Sequence, residues 1–258
     1  MNKLLLHTHS GIGDHIICNG MVHSYAEKYD IVYVPHLKMY GESVRTLYDG
    51  FSKIIPVEFP NIDLNRNRHL LQDYAIKNNA EMISIADPDI QYSNHLRILE
   101  DGNAHWVTLA IGSDRQFYEL ADLTFSTRYN KCHIPENTIK SEELYVKLSN
   151  KKPYALVHRY SSGRKLGYPL VINTHLNVVE ITENITNNIF DYLTLIKNAD
   201  EIHVVPSSIG CLVDSIATKI KAKLFFHNVK CSVETQVNCK WNNFRWIVVD
   251  YNRKFSND

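Results

Sequence analysis

The sequence predicts an α/β protein of two domains, each a parallel sheet with helices on both faces. Three observations carry that expectation. Short apolar runs alternate with segments of helical spacing along the whole chain. A polar interval, Asn137–Lys152, interrupts the alternation near its middle. The length of 258 residues is long for one compact domain and comfortable for two small ones.

The elements follow in order. Leu4–His7 and Ile31–Val34 read as buried strands flanking a helix from about Asp14 to Lys28, whose Ile16, Ile17, Met21 and Tyr25 fall at helical spacing. Lys53–Phe59 and Met82–Ala86 are further strands, and Arg115–Ala121 is a short helix. The interval ending in Asn150-Lys151-Lys152-Pro153 then reads as a link, so residues 1–150 form the first domain and 151–258 the second. In the second, Tyr154–His158, Val178–Ile181, Glu201–Val205 and Leu224–Phe226 read as strands. Asn188–Asn198 reads as a helix, and Ser208 is expected to cap another, with Ile209, Leu212, Val213 and Ile216 on one face. The tail from about residue 241 holds two tryptophans and the run Ile247-Val248-Val249. It is expected to pack, with the first domain as a candidate surface. Strand and helix in alternation favour parallel sheets.

Bulk properties exclude several function classes. Lys and Arg number 28, as do Asp and Glu, so no overall field draws the chain to nucleic acid or an anionic membrane. No apolar stretch approaches the roughly 18 residues of a membrane span, and Met1-Asn2-Lys3 runs straight into a three-leucine strand, unlike a signal peptide. The five cysteines form no C-x-x-C pair, so neither a disulfide framework nor a zinc site is expected. A cytoplasmic location fits.

Five constellations could carry chemistry. The first is Gly11-Ile12-Gly13-Asp14-His15, a glycine turn between strand and helix. It lacks the third glycine of a dinucleotide fingerprint and the Gly-Lys-Ser/Thr of a P-loop. An acid there would repel phosphate and suits a base that takes a proton from a hydroxyl; Asp14 could equally only stabilise the helix start. The second is Val204 to Cys211, where a strand runs into Ser207 and Ser208 and then the start of a helix. The amides around Ile209 and Gly210 could seat a diphosphate, or a serine could merely cap the helix. The third, His158-Arg159-Tyr160-Ser161-Ser162-Gly163-Arg164-Lys165, could neutralise a leaving diphosphate or be a solvated basic loop. The fourth is Glu180, a candidate acceptor for a ribose or base, or a solvated strand end. The fifth, Asp87-Pro88-Asp89, could hold a divalent metal at a nucleotide diphosphate or be turn chemistry.

Gly11 to Gly20 resembles the N-terminal motif of two-domain glycosyltransferases of the GT-B fold, nearest to the heptosyltransferase-like (family nine-like) group and its small bacterial and viral relatives. Phe117 to Asp122 with Arg128-Tyr129 resembles the end of the first domain in those relatives. Ile189 to Tyr192, Glu201 to His203 and Ser207-Ser208 through Asp214-Ser215 resemble their donor-binding half. The resemblance implies two Rossmann-like domains with a cleft between them, and transfer of a sugar from a nucleotide-diphosphate sugar to a hydroxyl of a glycan acceptor. It implies Asp14 as general base, inversion by direct displacement, and no metal or other cofactor. His15 and Asn19 would touch the acceptor. Gly11, Gly13, His158, Arg159, Arg164, Lys165, Glu180, Ser207, Ser208, Ile209 and Gly210 would serve the donor. Two alternatives stand beside this reading: a metal-dependent, single-domain GT-A enzyme using Asp87 and Asp89, and a non-catalytic glycan-binding protein on the same fold.

Overall fold

The computed structural model describes residues 1–85, 96–98, 104–106, 114–136, 138–161, 167–182, 185–229 and 245–251. The candidates Asp87, Asp89, Arg164 and Lys165 lie outside the described residues. The chain divides into two compact units, Met1–Lys38 with Gly50–Cys132, and Met39–Asp49 with His133–Asp258.

The first unit holds β1 (Lys3–His7), β2 (Ile31–Leu37), β3 (Ile54–Phe59) and β4 (Glu81–Ser84) in the order β3-β2-β1-β4. Every pairing in this four-stranded sheet is parallel. A parallel sheet is covered on both faces, which is why β1 reads as an unbroken apolar run: Leu4, Leu5 and Leu6 are all fully buried. On one side Leu5, Tyr33 and Phe59 pack with Leu64, Leu71 and Ala75, the last two from the helix Arg68–Lys77. A short antiparallel ribbon, β5 (Leu96–Ile98) with β6 (Ala104–Trp106), also falls in this unit.

The helix expected over Asp14–Lys28 is two helices, Ile12–Ile17 and Asn19–Lys28, separated at Cys18, whose φ of −84° and ψ of 2° leave the helical region. Just beyond the break Gly20 lies against the Thr127 carbonyl, so close that a Cβ would collide with it. This approach docks Asn19–Lys28 on the segment Asp114–Asn130. Two long-range hydrogen bonds reinforce it: Tyr25 donates to Ala121 O at 3.1 Å, and Tyr118 donates to Ile17 O at 2.9 Å. Behind them Arg128 and Asp114 form a fully buried ion pair, with the Arg128 guanidinium 5.1 Å from the Tyr129 ring centroid. A buried charge pair resists removal of either partner alone.

The second unit holds β7 (Tyr154–His158), β8 (Asn177–Ile181), β9 (Glu201–Val204), β10 (Lys223–Asn228) and β11 (Trp246–Asp250) in the order β11-β10-β9-β7-β8. All four pairings are parallel. The tail, for which the first domain was a candidate surface, supplies β11 and extends this second sheet beside β10.

The polar interval read as a link contains a helix, Ile139–Ser149, and falls within the second unit. Thr138 and Ser141 form a reciprocal capping box at its start. Its buried positions are Ser141 and Ser149, and Ser141 Oγ meets Thr194 Oγ1 at 2.7 Å. Leu144, Tyr145 and Leu148 flank these serines half-buried, with the Tyr145 ring centroid 6.4 Å from that of Tyr154. The helix Gly41–Leu47 clusters with the same unit: Ser43 accepts the Ile189 N–H at 3.0 Å, and Asn188 Nδ2 donates to Thr46 at 3.1 Å.

Both sheets are doubly wound. From β1 the order runs through β2 to β3 on one side and to β4 on the other; β7 likewise stands between β8 and β9. Loops leaving the carboxyl ends of strands on either side of such a switch diverge and leave a crevice. Among the described residues no helix is long and apolar enough to cross a membrane.

Gly20→Ala is expected to lower stability by about 1–3 kcal/mol, the usual cost of overpacking, because its methyl must displace the Thr127 carbonyl. Urea unfolding measures this. A midpoint equal to wild type would mean that the two segments are not held at this distance.

Candidate functional site

In the first unit the candidate residues gather where β1 ends. After His7 the chain passes through Thr8, His9 and Ser10 to Gly11, the N-cap of the helix Ile12–Ile17. The Gly11 carbonyl accepts the N–H groups of Asp14 and His15 at 3.1 and 3.2 Å, which places Asp14 in the first turn. Its carboxylate folds back over Gly11, and a Cβ there would sit 2.7 Å from Asp14 Oδ2. Gly11 therefore makes room for the acid, whereas the sequence suggested room for a ligand. Gly13 sits inside the first helical turn.

Asp14 has a partner that motif reading missed. His9 Nδ1 stands 2.9 Å from Asp14 Oδ2. The Asp14 carboxylate beside it holds the His9 imidazole above its ordinary pKa against the opposing pull of burial, with the Asp63 charge adding to it. His15 behaves oppositely. Burial, and then the neighbouring His36, push it down to about 3, so it is neutral. His15 and Asn19, expected at an acceptor, are both buried. At the neighbouring strand His7 Nδ1 meets Ser84 Oγ at 3.0 Å, tying the ends of β1 and β4 at the switch.

In the second unit the structure brings together four of the sequence candidates. His158 ends β7, Glu180 lies one residue before the end of β8, and Ser207 follows β9. Ser207, one residue before the expected cap, is the N-cap of the helix Ser208–Ile216. Its Oγ accepts the Gly210 N–H at 3.2 Å, donates to Val205 O at 3.0 Å, and meets His158 Nδ1 at 3.1 Å. A hydroxyl has one proton to give, so His158 donates from Nδ1. Burial lowers the His158 pKa to about 4. It is therefore a neutral hydrogen-bonding group here.

Arg159 and Glu180 neutralise each other. Arg159 Nε lies 3.2 Å from Glu180 Oε2, a pairing that adjacent strands permit because Val157 opposes Glu180 in register. Arg159 Nη1 also donates to Leu170 O at 3.2 Å, and its carbonyl accepts the Tyr168 N–H at 3.1 Å. Gly167 packs on the Arg159 side chain, where a Cβ would come within 3.1 Å of Arg159 Cβ. The chain leaving β7 thus returns to its own start. With Ser207 and Gly210 engaged in the cap, Ser208 and Ile209 present the remaining first-turn amides, which helix geometry leaves without an intrahelical acceptor.

A buried polar relay runs beside these residues. His203 Nδ1 meets His227 Nε2 at 2.9 Å, and His227 Nδ1 meets the Tyr251 hydroxyl at 2.8 Å, which accepts the Val171 N–H at 3.0 Å. His203 stacks on Phe225 with centroids 4.3 Å apart. Burial pushes His227 down to about 4, with His203 and Arg159 adding to the effect. Residues on β9, on β10 and just past β11 build the relay, so no spacing in the sequence announces it.

No protein-family model matches the chain, and no curated protein matches it by sequence. Two solved structures share its architecture. E. coli ADP-heptose LPS heptosyltransferase II is 12% identical, with a TM-score of 0.55 over 96% of this chain and 90% of that one. A glycosyl transferase family 9 protein from Veillonella parvula DSM 2008 is 8% identical, with a TM-score of 0.57 over 96% of this chain and 87% of that one. The likeness is one of fold: this chain has the two-unit α/β architecture of the GT-B type.

The buried histidines make stability depend on pH. His15, His158 and His227 are neutral in the folded protein, with pKa values lowered to about 3, 4 and 4. Unfolded, each titrates near 6.5. Below that value the unfolded chain binds more protons, so stability falls as the pH drops from about 6.5 toward 4. His9, with its raised pKa, works in the opposite sense, full below 6.5 and lost as the pH rises through its folded value. Three groups outweigh one. The melting temperature is expected to fall steadily from pH 7 to pH 5, and His158→Gln to flatten that slope. An unchanged melting temperature across this range would contradict the neutral assignments.

Proposed function

We propose that this protein is a glycosyltransferase that moves a sugar from a nucleotide-diphosphate sugar to a hydroxyl of a glycan acceptor, by direct displacement with inversion and without a metal. The observation that carries the reading is the doubling of one arrangement. Each doubly wound sheet gathers polar candidates at its carboxyl edge beside its switch: His9 and Asp14 after β1, and His158, Arg159, Glu180 and Ser207 after β7 to β9. The two solved structures that share this architecture are a heptosyltransferase and a family 9 glycosyl transferase, which supports the same chemistry here.

The roles follow from charge. The second unit supplies the donor side. First-turn amides at Ser208 and Ile209 suit a diphosphate, and Arg164 and Lys165 add charge from the same basic stretch. Arg159 is already balanced by Glu180, so it positions more than it neutralises. A leaving diphosphate develops negative charge as its bond to the anomeric carbon breaks, and fixed donors aimed at that charge lower the barrier. The first unit supplies the basicity. The Asp14 carboxylate is the charge on which deprotonation of the acceptor hydroxyl depends.

Three outcomes test the reading. ADP, GDP, UDP and CDP are each added to the protein at 100 times a micromolar Kd, and one of them is expected to stabilise it by about 2.7 kcal/mol; no shift in melting temperature with any would remove the donor site. Asp14→Asn is expected to cut the turnover of that nucleotide's sugar by about 10²-fold or more with nucleotide binding kept, and wild-type turnover is expected to survive EDTA. Loss of activity in EDTA would instead favour a metal at Asp87 and Asp89.

A further inference from the structure

We propose that the acceptor's proton is taken by His9, with Asp14 behind it as the orienting carboxylate, so that the turn after β1 holds a His–Asp dyad and not a lone acid. The inference rests on the sugar-transfer reading and sharpens its base. It starts from the 2.9 Å approach of His9 Nδ1 to Asp14 Oδ2. The Nδ1 edge of the ring is buried, while 33% of the His9 side chain is exposed. The imidazole therefore turns its paired nitrogen inward and leaves part of the ring open at the carboxyl edge of β1.

The carboxylate is fixed from the other side. Asp14 Oδ2 occupies the space that any side chain at residue 11 would need, and the Asp14 N–H is bonded to Gly11 O at 3.1 Å. An acid clamped over a glycine and 2.9 Å from an imidazole nitrogen is placed to hold that imidazole. It fixes the tautomer with Nδ1–H toward the acid, which leaves the lone pair on Nε2. His9 is the group with a matched proton affinity: an imidazole near neutrality serves a general base better than a free carboxylate does.

The step balances. The acceptor oxygen forms its bond to the anomeric carbon as the bond from that carbon to the diphosphate oxygen breaks. The bonding pair leaves with the nucleoside diphosphate. The hydroxyl proton goes to His9 Nε2, and the imidazolium so formed is stabilised by the Asp14 carboxylate. His9 is then the catalytic residue and Asp14 the positioning one.

The surrounding groups set the pH dependence. Asp63, in the loop after β3, favours the protonated imidazole together with Asp14, and burial opposes them. His15, from the helix that carries Asp14, is neutral and interacts in turn with His7 at the end of β1 and His36 on β2. His9 accepts a proton only once it has lost its own. Turnover is therefore expected to rise with pH through a raised histidine pKa, above 6.5, and to fall beneath it.

The test measures release of nucleoside diphosphate from ADP-, GDP-, UDP- and CDP-activated sugars, water standing in for the acceptor. It is run against pH for wild type, His9→Gln and Asp14→Asn. Gln keeps a hydrogen-bond donor for Asp14 and cannot take a proton. His9→Gln is expected to lose about 10²–10⁴-fold in turnover with nucleoside diphosphate binding unchanged. An NMR titration of the His9 ring, which needs no turnover, is expected to show its pKa falling back toward 6.5 in Asp14→Asn. Near wild-type turnover in His9→Gln, an acid limb in the carboxylate range, or a His9 titration indifferent to Asp14→Asn each overturns the dyad, the first two placing the proton on Asp14 itself. Failure of every nucleoside diphosphate to bind and of every donor to react overturns the sugar-transfer reading, and this inference with it.

Discussion

Parallel pairing cannot be closed by a hairpin; each connection has to cross a face of the sheet before the next strand begins. Most of what distinguishes this protein follows from that constraint. Crossing segments cover both faces of β1 and β7, which makes those strands continuously apolar. All strands of a sheet then end at the same edge, so the loops leaving them meet there. With β1 and β7 each flanked by strands reached in opposite directions, the loops part at one place per sheet, and the polar residues of each unit collect at that place.

The two edges solve different electrostatic problems. After β1 an acid and an imidazole are held together within reach of solvent, while the histidine next in sequence is buried and neutral. After β7 the charges cancel in place. Arg159 spends its guanidinium on Glu180 and on the Leu170 carbonyl, and His158 is kept neutral against Ser207. Among the described residues, what remains there for an anion is mainly backbone amide.

The strands were legible in the sequence because burial on two faces writes an apolar run that needs no knowledge of neighbours. Tyr154–His158 matched residue for residue. Asp14 was legible because an acid in a glycine turn is out of character for phosphate. What was illegible depends on partners supplied by folding. His9 reaches Asp14 across the turn only because Gly11 has no side chain. Glu180 meets Arg159 through the register of β7 on β8, and His158 meets Ser207 across 49 residues of chain. The Ile139–Ser149 helix escaped for a different reason: its buried positions are both serines, which periodicity reads as solvent.

The chain does not deliver its two units one after the other. It leaves the first at residue 39, contributes Gly41–Leu47 to the second, and returns at residue 50. Ser43 and Thr46 then hold Asn187, Asn188 and Ile189 from more than a hundred positions away. A gene fragment starting at residue 133 would therefore encode the second sheet without the helix that satisfies this loop. In evolutionary terms the second unit cannot be shuffled as a single exon-like block. Recombination at the apparent domain boundary would separate residues that hydrogen-bond, so the two halves of this chain are constrained to diverge together.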